Sequence, residues 1–273
     1  MRAPAGFRLS RYGRAMPNYP GLSTPIGHVE PVPRRIRALL GGRTVLDTTR
    51  AVYVWEWPPY PQYYIPAADL APGALVPSDH VDEQALGTAR RVGLRAGEVS
   101  RPAAGHLHTG DAVPGLAGLV RLEWNAVDAW FEEDEEVFVH PRNPYARVDA
   151  LRSTRHVRVE LEGLVLAESA TPVLVFETGL PTRYYLPRTA LDHTHLRPSR
   201  TVTACPYKGR TTAYWSVQVG DTLHTDLAWS YDFPTRELLP IAGLVGFYNE
   251  KVDIVLDGEP LDRPRTPFSP AEG

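Results

Sequence analysis

Residues 177–187, ETGLPTRYYLP, decide the fold because the chain contains this pattern twice. The counterpart, EWPPYPQYYIP, occupies residues 56–66 and lies 121 positions earlier. A gap-free alignment of residues 34–78 with 155–199 has 14 identical pairs in 45 positions. That is about 31%, against roughly 6–7% expected by chance for ordinary composition. An internal repeat of this length predicts two copies of one fold.

A second matching block completes each copy. Residues 117–120 and 242–245 both read AGLV, at an offset of 125. Each copy then has about the usual size of a small domain. The sequence therefore predicts five regions: an N-terminal arm at 1–33, a first repeat at 34–137, an interdomain linker at 138–150, a second repeat at 151–262 and a loose tail at 263–273.

The local pattern is typical of short antiparallel strands. Val157, Val159 and Leu161 alternate with polar residues, as in a half-buried strand. Glu162-Gly163 and Asp257-Gly258 are typical of hairpin turns. We expect a mainly β protein with two tandem small antiparallel β domains and few short helices. Short helical turns are expected at 187–191 and 235–239.

Composition narrows the function classes. The chain has 29 basic and 32 acidic residues and a net charge of −3, which argues against a nucleic-acid binder. It has no apolar run long enough to span a membrane, and its first twenty residues lack the apolar core of a secretory signal. We therefore expect a cytoplasmic protein whose partner is an unknown small molecule, with no nucleic acid and no membrane. Its oligomeric state is left open.

The single cysteine, Cys205, limits metal chemistry. One cysteine forms no intrachain disulfide and no multi-cysteine zinc site. His193 and His195 offer only two ligands. We therefore expect no metal and no cofactor.

The two repeats differ in chemistry. Residues 203–209, TACPYKG, occur in the second repeat alone, and residues 80–100 of the first contain no cysteine, lysine or aromatic residue. Features kept in both copies, such as Glu56 and Glu177, are interpreted mainly as scaffold. The difference predicts a site in the second repeat and a structural first repeat.

Three residues are candidates for catalysis. Cys205 is a candidate nucleophile, because an ammonium group such as Lys208 nearby favours the reactive thiolate. Lys208 is alternatively an anion-binding group or an amine nucleophile. His140, in the linker, is preferred as the base over the other histidines. The structural alternatives are a buried apolar thiol and a histidine with a purely structural role.

Arginine and aromatic residues of the second repeat are candidates for ligand binding. Arg183 and Arg188 are suited to clamp a carboxylate or phosphate, or else form ordinary ion pairs. Aromatic side chains on one sheet face are expected to wall a pocket, while those on the other face pack in the core. The ligand-binding candidates are Arg183, Tyr184, Arg188, Tyr207, Trp215, Trp229 and Tyr231.

A family resemblance adds to these patterns. Residues 177–187, 205–209 (CPYKG), 228–231 (AWSY) and 252–258 resemble the family catalogued as domain of unknown function 427, also labelled nucleotidyltransferase-domain-like. Residues 140–149 look like the segment between the copies of its tandem members. The resemblance implies a compact antiparallel β domain of the β-tent type and no particular reaction. The chain lacks the glycine-rich phosphate loop of nucleotidyl transfer.

Three function classes remain. The first is a small-molecule enzyme using Cys205 and Lys208, although whether the protein is an enzyme is left open. The second is a non-catalytic ligand-binding module with an aromatic-walled pocket. The third is an interaction protein that uses the arm and the acidic run at 132–136.

Overall fold

The chain folds into two compact units of similar architecture. The computed structural model describes residues 23–110, 112–266 and 268–269. The units divide between Tyr145 and Ala146. Strands dominate both units, which confirms the predicted mainly β class with two tandem β domains. Residues 1–22 of the predicted arm lie outside the described residues, whereas residues 29–31 of that arm form a strand.

The first unit begins with a strand and ends in the segment that precedes Ala146. Its strands are β1 (Val29–Pro31), β2 (Ile36–Leu40), β3 (Arg43–Thr48), β4 (Val52–Val54), β5 (Gln62–Pro66), β6 (Leu75–Gln84), β7 (Gly87–Ala96), β8 (Val99–His108), β9 (Leu119–Leu122), β10 (Ala129–Glu132) and β11 (Glu135–Val137). Short 3₁₀ helices occupy Ala67–Asp69 and Trp124–Ala126.

The second unit repeats this order and adds one small hairpin. Its strands are β12 (Val148–Arg152), β13 (Val157–Leu161), β14 (Leu164–Ser169), β15 (Val173–Glu177), β16 (Arg183–Leu186), β17 (Leu196–Ser199), β18 (Ala204–Cys205), β19 (Gly209–Arg210), β20 (Ala213–Val219), β21 (Thr222–Ser230), β22 (Val245–Phe247), β23 (Asp253–Leu256) and β24 (Glu259–Pro260). The 3₁₀ helices Arg188–Ala190 and Arg236–Ile241 lie where helical turns were predicted.

The two units share one antiparallel sheet topology. Each has a seven-stranded sheet, in the order β1-β4-β5-β9-β8-β7-β6 or β12-β15-β16-β22-β21-β20-β17. Each also has a four-stranded sheet, in the order β11-β10-β2-β3 or β14-β13-β23-β24. Every strand of the first unit thus has a counterpart in the second. The hairpin of β18 and β19 belongs to the second unit alone.

Strand alternation divides the seven-stranded sheet of the second unit into two faces. Tyr184 and Leu186 of β16 pack in a core together with Val157 and Val159 of the four-stranded sheet. Tyr185, between them in sequence, belongs to a separate buried cluster. Successive side chains of a strand point to opposite faces, so Tyr185 lies on the outer face of this sheet. The outer face carries the candidate site.

In the described part of the chain, no helix is long and apolar enough to cross a membrane.

Candidate functional site

The β18–β19 hairpin positions the thiol and the ammonium group. Cys205 pairs with Gly209 across the hairpin, and Gly209 has a φ of +93°, which favours glycine in this tight turn. The backbone N–H of Thr203 donates to the hydroxyl of Thr211 at 2.8 Å and fixes the base of the hairpin. Because both ends are held, the chain between Cys205 and Lys208 folds back over the sheet.

Lys208 lies between a carboxylate and the thiol. Its ammonium group donates to the Glu177 carboxylate, and its Nζ is 4.0 Å from Cys205 Sγ. The Lys208 residue is only 8% exposed, whereas Cys205 is partly exposed. Burial alone would lower the pKa of Lys208, but the opposing charges of Cys205 and Glu177 outweigh it and hold the pKa above its ordinary value. Lys208 is therefore a fixed cation at neutral pH.

Five aromatic side chains pack together on the outer face, and we call them the outer cluster. They are Tyr185, Tyr214, Trp229, Tyr231 and Tyr248. The indole N–H of Trp229 donates to the Tyr185 hydroxyl at 3.1 Å. Burial raises the pKa of Tyr185 to about 12 and also holds the pKa of Tyr231 well above its ordinary value. These phenols are neutral hydrogen-bonding groups at physiological pH.

A line of hydroxyl groups runs along one side of the outer cluster. The Tyr214 hydroxyl lies 3.2 Å from that of Tyr248 and 3.1 Å from Thr203 Oγ1. Thr203 precedes Cys205 by two residues. The line therefore connects the Tyr248 ring to the hairpin that carries the thiol.

Arg183 lies on the same face, but an internal carboxylate holds its guanidinium. Its two terminal nitrogens donate to Glu250 at 2.6 and 2.7 Å, and both side chains are buried. The guanidinium carbon lies 5.9 Å from the Trp229 ring centroid and 5.7 Å from that of Tyr248. The structure thus gives Arg183 the ion-pair role that the sequence left as its alternative to a ligand clamp.

Three further candidates lie away from the thiol. Tyr184 packs in the core between the sheets, and Trp215 packs against that core from the same side. Arg188 lies over the Trp215 ring and pairs with Asp232 at 2.6 Å. The strand period points Tyr184 and Trp215 to the face opposite the outer cluster. Arg188, in the 3₁₀ helix that follows β16, contacts Trp215 on that side.

Tyr207 and His140 complete the predicted set. Tyr207 lies in the hairpin turn, where its carbonyl accepts a hydrogen bond of 2.5 Å from the Thr235 hydroxyl. His140 belongs to the first unit, where its ring stacks on Tyr60 at 3.5 Å between centroids and its Nδ1 lies 2.7 Å from the Pro141 carbonyl. Burial lowers the pKa of His140, and the hydrogen bond to Pro141 opposes that shift only in part.

Three histidines of the second unit that were weighed as alternative bases have partners away from the thiol. His193 lies 2.9 Å from the Arg188 carbonyl, and His195 lies 3.1 Å from the Gln218 carbonyl. His224 lies 3.4 Å from Glu162.

The first unit holds its shared glutamate differently. The Glu56 carboxylate accepts from Arg121 Nε at 3.1 Å and from the Tyr64 hydroxyl at 2.9 Å. Strand pairing sets the correspondence, because Arg121 is opposite Tyr64 in the first unit just as Gly246 is opposite Tyr185 in the second. The cation of the first unit thus comes from a strand, whereas that of the second unit comes from the added hairpin.

Several residues of this arrangement were missed by sequence reasoning. Glu177 was interpreted mainly as scaffold, and its contact with Lys208 was not predicted. Tyr185 and Tyr248 were seen only as general aromatic residues. The 125-residue offset places Arg121 opposite Gly246 in the alignment, and this exchange is the signal that marks the outer face as different in the two repeats.

Both units have the same sheet order, and the second groups a thiol, an ammonium group and a carboxylate. The fold and the site therefore define a tandem β-repeat protein whose two copies differ in chemistry. The chain belongs to the family described as domain of unknown function (DUF427), whose model matches residues 28–133 and again residues 149–258. The predicted family and its tandem arrangement are confirmed. No curated protein matches the chain.

Proposed function

We propose that the protein is a small-molecule enzyme that uses Cys205 as a nucleophile, with its site in the second repeat. One observation carries the proposal: the buried Lys208 ammonium is 4.0 Å from the thiol and is anchored by Glu177. A fixed positive charge next to a thiol favours the thiolate, which is the nucleophilic form. The net charge of −3 and the aromatic surroundings favour a small molecule over nucleic acid as substrate.

The proposed step is a group transfer to sulfur. The Cys205 proton leaves to solvent before the attack, since Lys208 is already protonated and accepts no further proton. The thiolate then forms a carbon–sulfur bond with an electrophilic carbon of the substrate, and the leaving group departs with the electron pair of the broken bond. Lys208 stabilises the anionic sulfur, and Glu177 positions Lys208. Water or another nucleophile then bonds to the same carbon, the carbon–sulfur bond breaks, and Cys205 leaves as the thiolate with the electron pair of that bond.

Labelling of the chain's one cysteine tests the nucleophile directly. We expect Cys205 to react with iodoacetamide at pH 7 several-fold faster in the unsubstituted protein than in Lys208→Met, because the nearby ammonium group stabilises the reacting anionic sulfur. Mass spectrometry of the alkylated chain gives the rate constants. The matched control is Lys251→Met, which removes the only other lysine.

The labelling experiment can also contradict the nucleophile proposal. If Cys205 reacts no faster in the folded protein than in urea, and Lys208→Met leaves the rate unchanged, the nucleophile proposal is wrong. Glu177→Gln is expected to slow alkylation less than Lys208→Met, since it leaves the cation in the site but loosens its position.

The second candidate function is a non-catalytic ligand-binding module. The hydroxyl line of Thr203, Tyr214 and Tyr248 beside the Trp229 ring supports it, because such walls orient small ligands. A metabolite thermal-shift screen separates the two functions. A binding module keeps its ligand shift in Cys205→Ala and loses it in Trp229→Phe, whereas an enzyme loses turnover in Cys205→Ala with its fold intact.

The β-tent arrangement and a cytoplasmic location stay predictions, and the nucleotidyltransferase-like label of the family carries no reaction over to this chain.

A further inference from the structure

We propose that the Arg183 end of the outer face is a subsite for a planar aromatic ring, and that Phe268 of the chain's own C-terminal segment occupies it. The role of this subsite in a reaction rests on the proposed function, because the subsite would bind the ring of the substrate. Its existence is testable without any reaction at Cys205.

Three aromatic rings surround the Arg183 guanidinium. Its carbon lies 5.9, 5.7 and 6.0 Å from the ring centroids of Trp229, Tyr248 and Phe268. The Tyr248 centroid is 4.5 Å from that of Trp229 and 5.9 Å from that of Phe268, so the rings follow one another in a row. The bidentate contact with Glu250 fixes the guanidinium plane. A fixed guanidinium attracts the face of an aromatic ring through cation–π contact.

Phe268 differs from the other two rings in its origin and exposure. Trp229 is 6% exposed, whereas Phe268 is 46% exposed. Trp229 and Tyr248 lie within the family match, which ends at residue 258. The last ring of the row therefore comes from a segment beyond the matched domain, while the surface that it covers belongs to the domain.

Polar contacts attach this segment to the matched domain. Arg263 pairs with Asp253 at 3.0 Å, and the Thr266 hydroxyl donates to Glu250 at 2.5 Å. The Arg263 pair is partly exposed, and exposed ion pairs contribute little to stability. Residues 263–266 and 268–269 contain no helix or strand. A ligand ring of similar size would compete with the half-exposed Phe268 ring for the same surface.

The geometry points to the kind of ligand. A ring in the place of Phe268 stacks beside Tyr248, and the hydroxyl line of Tyr248, Tyr214 and Thr203 leads from there toward the Cys205 hairpin. We infer an aromatic or heteroaromatic compound with a polar substituent that carries the electrophilic carbon. The ring supplies binding, and the substituent reaches the thiol.

Ring binding is tested in a Cys205→Ala background with benzamide as the probe and acetamide as its ringless control. We expect Phe268→Ala to increase benzamide affinity at least fivefold, measured by saturation-transfer NMR titration. Adding Tyr248→Ala is expected to abolish the gain, and acetamide binds neither form. Phe131→Ala, in the four-stranded sheet of the first unit, is the matched control and is expected to change nothing.

A chain that ends at Asp262 provides a second variant and is expected to behave like Phe268→Ala. Equal benzamide affinity in both opened variants and the full chain would overturn the subsite. A separate measurement with Cys205 intact compares alkylation by iodoacetanilide and iodoacetamide, and the ratio of their rates is expected to rise several-fold in Phe268→Ala. Slow iodoacetamide labelling of the full chain would contradict the proposal that Cys205 is a nucleophile. The existence of the subsite would then be decided by the benzamide affinities.

Discussion

The outer faces of the two repeats provide a cation for the shared glutamate in different ways. In the first repeat, Arg121 extends from β9 across the sheet to reach Glu56. In the second repeat, Gly246 replaces the arginine, and Lys208 reaches Glu177 from the added hairpin. The shared glutamate is therefore not the distinguishing feature. The repeats differ in the structural element that carries the cation paired with this glutamate.

This exchange changes what covers the sheet. In the first repeat, the long Arg121 side chain lies over the face beside Tyr64. In the second, a glycine at that point lets the Tyr185 and Trp229 rings approach the backbone closely. A Cβ atom at Gly246 would lie 3.1 Å from Tyr185 and 3.3 Å from Trp229. The two rings thus form an aromatic floor on the sheet at the position where Arg121 lies in the first repeat.

The largest expected contrast concerns Arg183 and its counterpart Gln62. Arg183→Ala leaves the Glu250 carboxylate buried without its cation, so we expect a loss of about 3–5 kcal/mol in unfolding free energy. Gln62→Ala in the first repeat is expected to cost about 0.5 kcal/mol. Urea unfolding of the full chain measures both. Similar costs for the two variants would contradict the stabilising role of the buried Arg183–Glu250 pair.

A smaller effect is expected at Gly246. Gly246→Ala forces the added methyl against the Tyr185 and Trp229 rings, which costs about 1–3 kcal/mol by overpacking. It is also expected to alter Trp229 fluorescence. The control is Gly110→Ala in the first repeat, where the new Cβ atom meets nothing closer than 3.4 Å. If Gly246→Ala is neutral and spectroscopically silent, the close packing described for this floor is wrong.

The smallest contrast is in acid sensitivity. Burial alone would raise the pKa of Glu250, but its hydrogen bonds from Arg183 and Thr266 outweigh burial and hold the pKa below its ordinary value. A lowered pKa in the folded state stabilises the fold above the unfolded pKa of about 4.3, and the contribution is lost as pH falls through the folded value. We therefore expect the midpoint urea concentration for unfolding to decrease as the pH is lowered below about 4.3.

The Glu250→Gln variant is expected to lack this acid-dependent component, whatever its overall stability. Glu98→Gln, at an exposed position of the first repeat, is the control and is expected to keep it. An unchanged pH slope in Glu250→Gln would assign the acid sensitivity to other carboxylates.

Much of the fold follows from local pattern. The alternation at Val157, Val159 and Leu161 and the turn at Glu162-Gly163 lead directly to β13 and β14, because strand period and turn chemistry act over a few residues. The repeat extends this result to the first unit. The extra β18–β19 hairpin was not predicted, since two-residue strands leave no periodic pattern in the sequence.

The candidate site was harder to predict because it depends on distant pairings. Lys208 and Cys205 are near each other in sequence, so their proximity was expected. Glu177 is 31 residues from Lys208, and Glu250 is 67 residues from Arg183. Which carboxylate meets which cation is decided by sheet order. Sequence spacing likewise leaves open which face of the sheet Tyr184 or Trp215 takes.

The hairpin also shows how a duplicated fold can change its chemistry. Pro77 pairs with Val92 in the first repeat, and Pro198 pairs with Trp215 at the corresponding position of the second. The two repeats therefore have an equivalent strand pair at this position, and the chain between the paired residues differs. In the first it continues as a plain ribbon, whereas in the second it folds back with its own reactive groups. We therefore expect that exchanging the segment between these paired residues from one repeat to the other leaves the order of the strands in the sheet unchanged.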